Sequence, residues 1–251
     1  MFLRILLSLN LAFFAVDLTS CQDKRDKKEI AKDEMRQKSL MFSGYEWIAE
    51  GSDENKISPG RNYFSCSDDN VWVDENGYLH LRITKREGKW YCAKVTLKES
   101  YSYNKYIFTV ASRVDRLDRN VVGGLFTYLD DTNEIDIEFA KWGVKNNHDG
   151  QFIIQPAHNE GNSHHFKLKL RRTYSTHVID WKQDKIVFLS YRGPYQENPP
   201  KRKIISEWSY TGQDIPIDDE EKVMINLWLY NGVPPSDNKE AEMIISFFKI
   251  L

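Results

Sequence analysis

From Phe42 to the C-terminus the chain is a succession of short runs rich in β-branched and aromatic residues, broken by turn chemistry every dozen residues or so. No long amphipathic helical stretch interrupts it. Val71-Trp72-Val73 is separated by Asp74-Glu75-Asn76-Gly77 from a run in which Leu79, Leu81 and Ile83 alternate with His80, Arg82 and Thr84. That is the period-two pattern of a hairpin with one buried face. Glu87-Gly88 turns the chain into WYCAKVTL, and further strands are predicted at KYIFTVASRV, VGGLFTYL, EIDIEFA, QFIIQPA, HFKLKL, THVIDW, KIVFLSY, KVMINLWL and AEMIISFFKI. Strands in series without intervening helices predict an all-β fold, an antiparallel β-sandwich or jelly roll, rather than a parallel α/β sheet. A length of 251 residues fits one domain of this kind.

The first twenty residues, MFLRILLSLNLAFFAVDLTS, join an early cation, Arg4, to an apolar run too short and too interrupted to span a bilayer, and they read as an export signal peptide. The run closes on Leu18-Thr19-Ser20-Cys21, which resembles a bacterial lipobox. On that reading Cys21 carries acyl chains and the protein is an exported lipoprotein at the periplasmic or cell-surface side of a membrane; the alternative is an ordinary cleaved signal with an incidental cysteine. Residues 21–41 mix both charge signs with few apolar side chains, as a solvated tether does, which leaves 42–251 as the single domain. Cys66 and Cys92 then form an even pair in an oxidising compartment, open to a disulfide or to two buried thiols. The net charge of -2 supplies no basic field for nucleic acid, and a monomer is expected. Aromatic residues at 13% suffice for a core and for a sugar-stacking surface as well.

One strand stands apart. In Glu134-Ile135-Asp136-Ile137-Glu138 the three carboxylates share one face and the isoleucines, with Phe139, the other. Same-face Cα atoms lie roughly 6.6 Å apart, so the two glutamates start about 13 Å apart and need long side chains leaning inward to bracket a bond. Retaining glycosidases place two carboxyls about 5 to 5.5 Å apart across a glycosidic bond. The plainer reading is an edge strand with a solvated acidic face. Three like charges in a row nevertheless cost stability, and such a cost is commonly borne where chemistry needs it.

Here the sequence resembles glycoside hydrolase family 16, the concanavalin-like β-jelly-roll group of lichenases, laminarinases, agarases, carrageenases and endo-β-galactosidases. Phe126-Thr127-Tyr128 shortly before EIDIEF, then Gln151-Phe152, Asp180-Trp181 and Ile225-Asn226-Leu227-Trp228 follow in the family's order. YFSCSDDNVWVDENGYLHL and WYCAKV resemble two lichenase segments joined by a disulfide, which implies a Cys66–Cys92 bridge. The resemblance implies a retaining endo-glycosidase acting on a β-glucan-like extracellular polysaccharide, with Glu134 as nucleophile, Glu138 as general acid and then base, and Asp136 orienting them. It also implies aromatic platforms among Tyr103, Tyr106, Phe126, Trp142 and Trp228, and hydroxyl contacts from Asn62, Gln151 and Asn226. No cofactor is required, and a structural calcium on the convex face is compatible with the family.

Where family members carry Gly-Tyr-Gly-x-Tyr-Glu-x-Arg on a strand lining the donor subsites, this chain reads Ser102-Tyr103-Asn104-Lys105-Tyr106-Ile107-Phe108-Thr109. The family's His-Thr-Tyr before Asp-Trp becomes Ser175-Thr176-His177, leaving His177 as a ligand or as a satisfied core residue. The tryptophan after Asn-Leu-Trp is replaced by YNGVPPSDNK. These departures admit a β-galactan or host-type β-galactoside as substrate, and from another functional class a glycan-binding lipoprotein without turnover.

Overall fold

The computed structural model describes residues 36–52 and 55–251. The export signal, Cys21 and most of the tether lie outside the described residues. The strands are Gln37–Phe42 (β1), Tyr45–Glu50 (β2), Tyr63–Phe64 (β3), Val71–Val73 (β4), Leu79–Arg86 (β5), Lys89–Leu97 (β6), Lys105–Val110 (β7) and Val121–Asp130 (β8). After them come Asn133–Phe139 (β9), Gly150–Ile154 (β10), Ser163–Phe166 (β11), Ser175–Lys182 (β12), Lys185–Arg192 (β13), Ile204–Tyr210 (β14), Lys222–Leu229 (β15) and Ala241–Ile250 (β16). The only helical elements among the described residues are three single 3-10 turns. The all-β expectation holds. Strand formation starts earlier than composition indicates, because Leu40 and Phe42 of β1 face inward within a stretch otherwise rich in charge.

Hydrogen bonding runs through one continuous ladder folded into two facing layers. The first layer has the order β11-β10-β9-β8-β15-β6-β2-β1 and the second β4-β5-β16-β7-β12-β13-β14, with every pair antiparallel. The corner is the β5–β6 hairpin: Thr84 to Arg86 pair with Tyr91 to Lys89, while the later residues of β6 pair with β15 and β2. Strands that change layer at such corners let a long sheet close on itself with few exposed edges. Short β3 runs parallel to β6 beside it.

The layers meet through interdigitated rings. Phe152 of β10 stacks on Phe188 of β13 at 4.9 Å, Phe139 of β9 meets the His177 ring of β12 at 4.7 Å, and Trp47 of β2 abuts Phe248 of β16 at 5.0 Å. Each is buried, as the inward positions of a period-two strand should be.

The expected disulfide is not formed in the structure. Phe64 of β3 sits opposite Cys92, the Ser65 amide donates to the Cys92 carbonyl, and Cys66 follows beyond the end of β3. Both cysteines are buried and are not bridged to one another. Enclosure in the core pushes the Cys92 thiol up to about 12.

Candidate active site

The acidic strand lies within the first layer, flanked by β8 and β10. Its register is set by a side-chain-locked turn: Asp130 Oδ1 accepts from the Thr132 and Asn133 amides at 2.8 and 3.0 Å, joining β8 to β9. Ile135, Ile137 and Phe139 point into the core, each at most 1% exposed, and the three carboxylates point to the outer face. The alternation read from the sequence is therefore the alternation of the folded strand.

Cross-strand pairing builds a grid around these carboxylates, because paired residues project to the same face. One row runs Gln151, Glu138, Gly124, Asn226, Lys94; the next runs Ile153, Asp136, Phe126, Met224, Thr96; the third holds Glu134 beside Tyr128. A cavity of about 240 Å³ opens over the grid, lined by Glu134, Asp136, Glu138, Phe126, Tyr128, Asn226, Trp228, Lys94 and Met224, with Ser58 and Pro59 as one wall. Gly124 is required beneath it. A Cβ there would lie 2.6 Å from Asn226 Oδ1, the amide that crosses over it. Gly60, with φ +70, lets the Ser58–Pro59 wall close onto Trp228, whose ring would be 2.7 Å from an added Cβ.

Each of two carboxylates has one amide donor. Gln151 Nε2 donates to Glu138 at 2.6 Å, and Trp142 Nε1 in turn donates to Gln151 Oε1 at 3.1 Å. Gln155 Nε2 donates to Asp136 at 3.2 Å. Asp136 is 3% exposed. Burial raises all three carboxyls: Glu134 and Glu138 are each pushed up to about 7, and Asp136, between two like-charged neighbours, well above the usual carboxylate range. Such a cluster titrates as a unit and keeps protons at neutral pH, so it can supply a carboxylate and a carboxylic acid together.

Of the residues expected to contact sugar, Phe126, Asn226 and Trp228 line the cavity, and Gln151 stands behind it on Glu138. The buried Oδ1 of Asn226 has no protein partner among the described residues. Trp142 lies outside the cavity lining, its ring packed on Trp228 and Tyr230 and its backbone held at φ +50. For Tyr103, Tyr106 and Asn62 the expectation is corrected, and for His177 the core alternative holds. Tyr103 and Tyr106 belong to the second layer, where β7 is paired between β16 and β12. Tyr103 packs on Trp181 at 5.0 Å, and Tyr106 is 1% exposed with its hydroxyl donated to the Ser102 carbonyl. The altered residues Ile107 and Thr109 are likewise buried in that layer, away from the cavity lining. Asn62 spends its amide hydrogens on the Pro59 and Leu229 carbonyls, bracing the wall from behind. His177 is wholly buried between the Ser175 and Ser190 hydroxyls, and burial lowers it to about 3, so it is a neutral core residue.

Sequence reasoning missed Lys94, Tyr128, Met224, Gln155 and the Ser58–Pro59 wall. Lys94 is held by Glu50 at 2.8 Å, and Thr96 donates to the same carboxylate at 2.6 Å. Only Tyr128 had a local signal, as the second aromatic on the Phe126 face of its strand. For the compatible calcium, no group of three or more His, Cys, Asp or Glu side chains among the described residues is placed to hold a metal ion.

A two-layer antiparallel jelly roll with three convergent carboxylates on the outer face of a layer is the class this molecule defines. The solved structures it resembles include glycoside hydrolases and a pseudo-glucanase. A β-glucanase of Bacillus licheniformis is matched with TM-score 0.60 at 19% identity over 86% of this chain and 97% of that one. A family 16 endo-glucanase of Bacteroides ovatus, solved in complex with G4G3G-2F-DNP, is matched with TM-score 0.56 at 14% identity over 82% and 94%. A pseudo β-1,3-glucanase of Mycobacterium tuberculosis is matched with TM-score 0.61 at 15% identity over 82% and 90%. The chain thus has the fold of the family 16 glucanases, as the sequence motifs implied. No protein-family model and no curated protein matches the sequence.

Proposed function

We propose that the protein is a retaining endo-glycosidase that hydrolyses β-linked bonds in an extracellular polysaccharide. The observation that carries this reading is the row of three same-face carboxyls in one cavity, all raised by burial, with one glutamate oriented by a relayed amide. Glu134 attacks the anomeric carbon and the glycosyl–oxygen bond breaks as Glu138 delivers its proton to the leaving oxygen. Glu138, now a carboxylate, deprotonates the water that releases the sugar from Glu134. Asp136, lying between the two and fixed by Gln155, holds a proton that stabilises the Glu134 carboxylate before attack. Phe126 and Trp228, the latter backed by the Trp142 ring, offer flat apolar faces to sugar rings. The export signal and lipobox support action outside the cytoplasm from a lipid anchor at Cys21.

The fold also carries a pseudo-glucanase, so glycan binding without turnover is the competing reading. Incubation of the protein with lichenan, laminarin, agarose, carrageenan and mucin-type glycans separates the two by the appearance of new reducing ends. Turnover of one of these, with retained anomeric configuration by NMR, is expected. Glu138→Gln should lower kcat by about 10²–10⁴-fold on substrates with poor leaving groups. Binding without release by the wild-type protein, or undiminished activity of Glu134→Gln, would overturn the assignment.

A further inference from the structure

The net charge of -2 conceals a segregation of charge between the two ends of the strands. At the end where β8, β10 and β12 begin and β7, β9, β11 and β13 finish, the connecting segments 113–119, 141–149 and 167–172 are bonded to one another. Lys141 Nζ donates to the Leu117 carbonyl at 2.7 Å, Lys167 Nζ to the Asn146 carbonyl at 3.3 Å, and the Leu170 amide to Asp115 at 3.1 Å. Among their exposed cations, Arg116, Arg119, Lys145, Lys169, Arg171 and Arg172 form no ion pair with a described residue. Every acid of these segments is already engaged: Asp115 pairs with Arg113 at 2.7 Å, Asp118 accepts from the Ser236 and Asn120 amides, and Asp149 accepts from the Leu168 amide at 2.8 Å. The opposite end has the other sign. Between Tyr210 of β14 and Lys222 of β15 the loop holds Asp214, Asp218, Asp219, Glu220 and Glu221 and no cation.

The basic end is built by the sequence. In Lys167-Leu168-Lys169-Leu170-Arg171-Arg172 the two leucines are buried and the cations are exposed, so core packing of Leu168 and Leu170 holds the charges outward. Val144, beside Lys145, is 58% exposed and sets an apolar side chain among them. Like charges without counter-ions repel one another, and an anionic partner relieves that repulsion. Because these cations come from loops of both layers, an extended anionic surface matches them better than a single small ion. The chain also enters the domain toward this end. Trp47, Ile48 and Ala49 of β2 pair in turn with Leu97, Thr96 and Val95, so β2 runs toward Ala93, which lies level with Leu227 and Gly123 near the start of β8. Just beyond β2 the Gly51 amide donates to the Arg36 carbonyl at 2.6 Å. From Cys21 to Arg36 the chain can reach at most about 50 Å.

We propose that the basic end of the strands docks on a membrane surface of anionic phospholipid, with these cations against the headgroups and Val144 at the interface. The choice of a membrane draws on the lipobox reading of Cys21, and the docking is independent of the glycosidase reading. Juxtamembrane cations add their attractions near such a surface, and salt screens them within about 8 Å at physiological ionic strength. The carboxylate cavity opens on the outer face of the first layer, alongside the strands rather than at their ends, so the docked protein keeps its cleft open to a polymer.

The test uses the chain from Cys21 onward, made without its leader so that Cys21 carries no acyl group and binding reads the protein surface alone. Co-sedimentation is measured with vesicles of phosphatidylcholine and of an equimolar mixture of phosphatidylcholine and phosphatidylglycerol. Arg171→Gln/Arg172→Gln is the test pair, and Lys182→Gln/Lys185→Gln, at the β12–β13 turn of the opposite end, is a control of equal charge change. The parent chain should bind the anionic vesicles alone and lose that binding as salt is added. The test pair should bind about tenfold more weakly or worse, the control pair as the parent does, and both should keep the parent's thermal midpoint. Absence of binding, equal binding to the two vesicle compositions, equal weakening by the two pairs, or tighter binding to soluble polygalacturonate or duplex DNA than to anionic vesicles would each overturn the proposal. Hydrolysis of lichenan, assayed without vesicles, is read separately, so failure of docking leaves the glycosidase reading standing and failure of hydrolysis leaves the docking result standing.

Discussion

At the residue scale the three carboxyls exchange stability for reactivity. Their folded pKa values are raised above those of the unfolded chain, so between pH 4.5 and about 7 the folded state binds more protons than the unfolded one, and stability falls as pH rises through that window. Glu134→Gln removes a group that must ionise while buried. It should leave stability unchanged at pH 4 and raise it by on the order of 2 kcal/mol at pH 8, checked by denaturant melts at the two pH values. Loss of the protonated acid with the same apparent titration places the alkaline limb of kcat/KM near pH 7. Gly124→Ala tests the floor of the site. The added methyl meets Asn226 Oδ1 at 2.6 Å and should cost about 1–3 kcal/mol while raising KM, read by thermal melts and steady-state kinetics.

At the element scale, β10 governs how β9 works. Gln151 on β10 pairs with Glu138 on β9, lowers its pKa by hydrogen bonding, and receives the indole hydrogen of Trp142 in return. Gln151→Ala should therefore move the alkaline limb of kcat/KM to higher pH and lower kcat, because Glu138 loses both its donor and its fixed orientation; a pH–rate profile decides it. The strands that sequence reasoning found, from β4 to β13 and at β15 and β16, have strong alternation or continuous β-branched runs. Those it missed are β1, whose inward Leu40 and Phe42 are diluted by charge, β2, the two-residue β3, and β14, whose IISEWSY alternates polar residues with half-buried ones. Lys167 to Leu170 alternates as a strand should yet is not one, since Lys169 at φ +47 leaves the extended region.

At the scale of the whole molecule, closure of one ladder into two layers decides which residues meet. Because Cys66 and Cys92 are not bridged to one another, reductant should leave the melting midpoint of the domain unchanged, where loss of a native bridge would cost about 2–5 kcal/mol. Thermal melts with and without dithiothreitol check this. The acidic strand, its in-and-out alternation and the β class were determined by sequence alone, since side-chain period and turn chemistry are local properties. The pairing of Gln151 with Glu138, the approach of Lys94, Met224 and the Ser58–Pro59 wall, and the removal of Tyr103 and Tyr106 to the other layer were decided only by tertiary structure. Strand neighbours far apart in the chain are chosen by global packing, and no local pattern records which layer a strand will join.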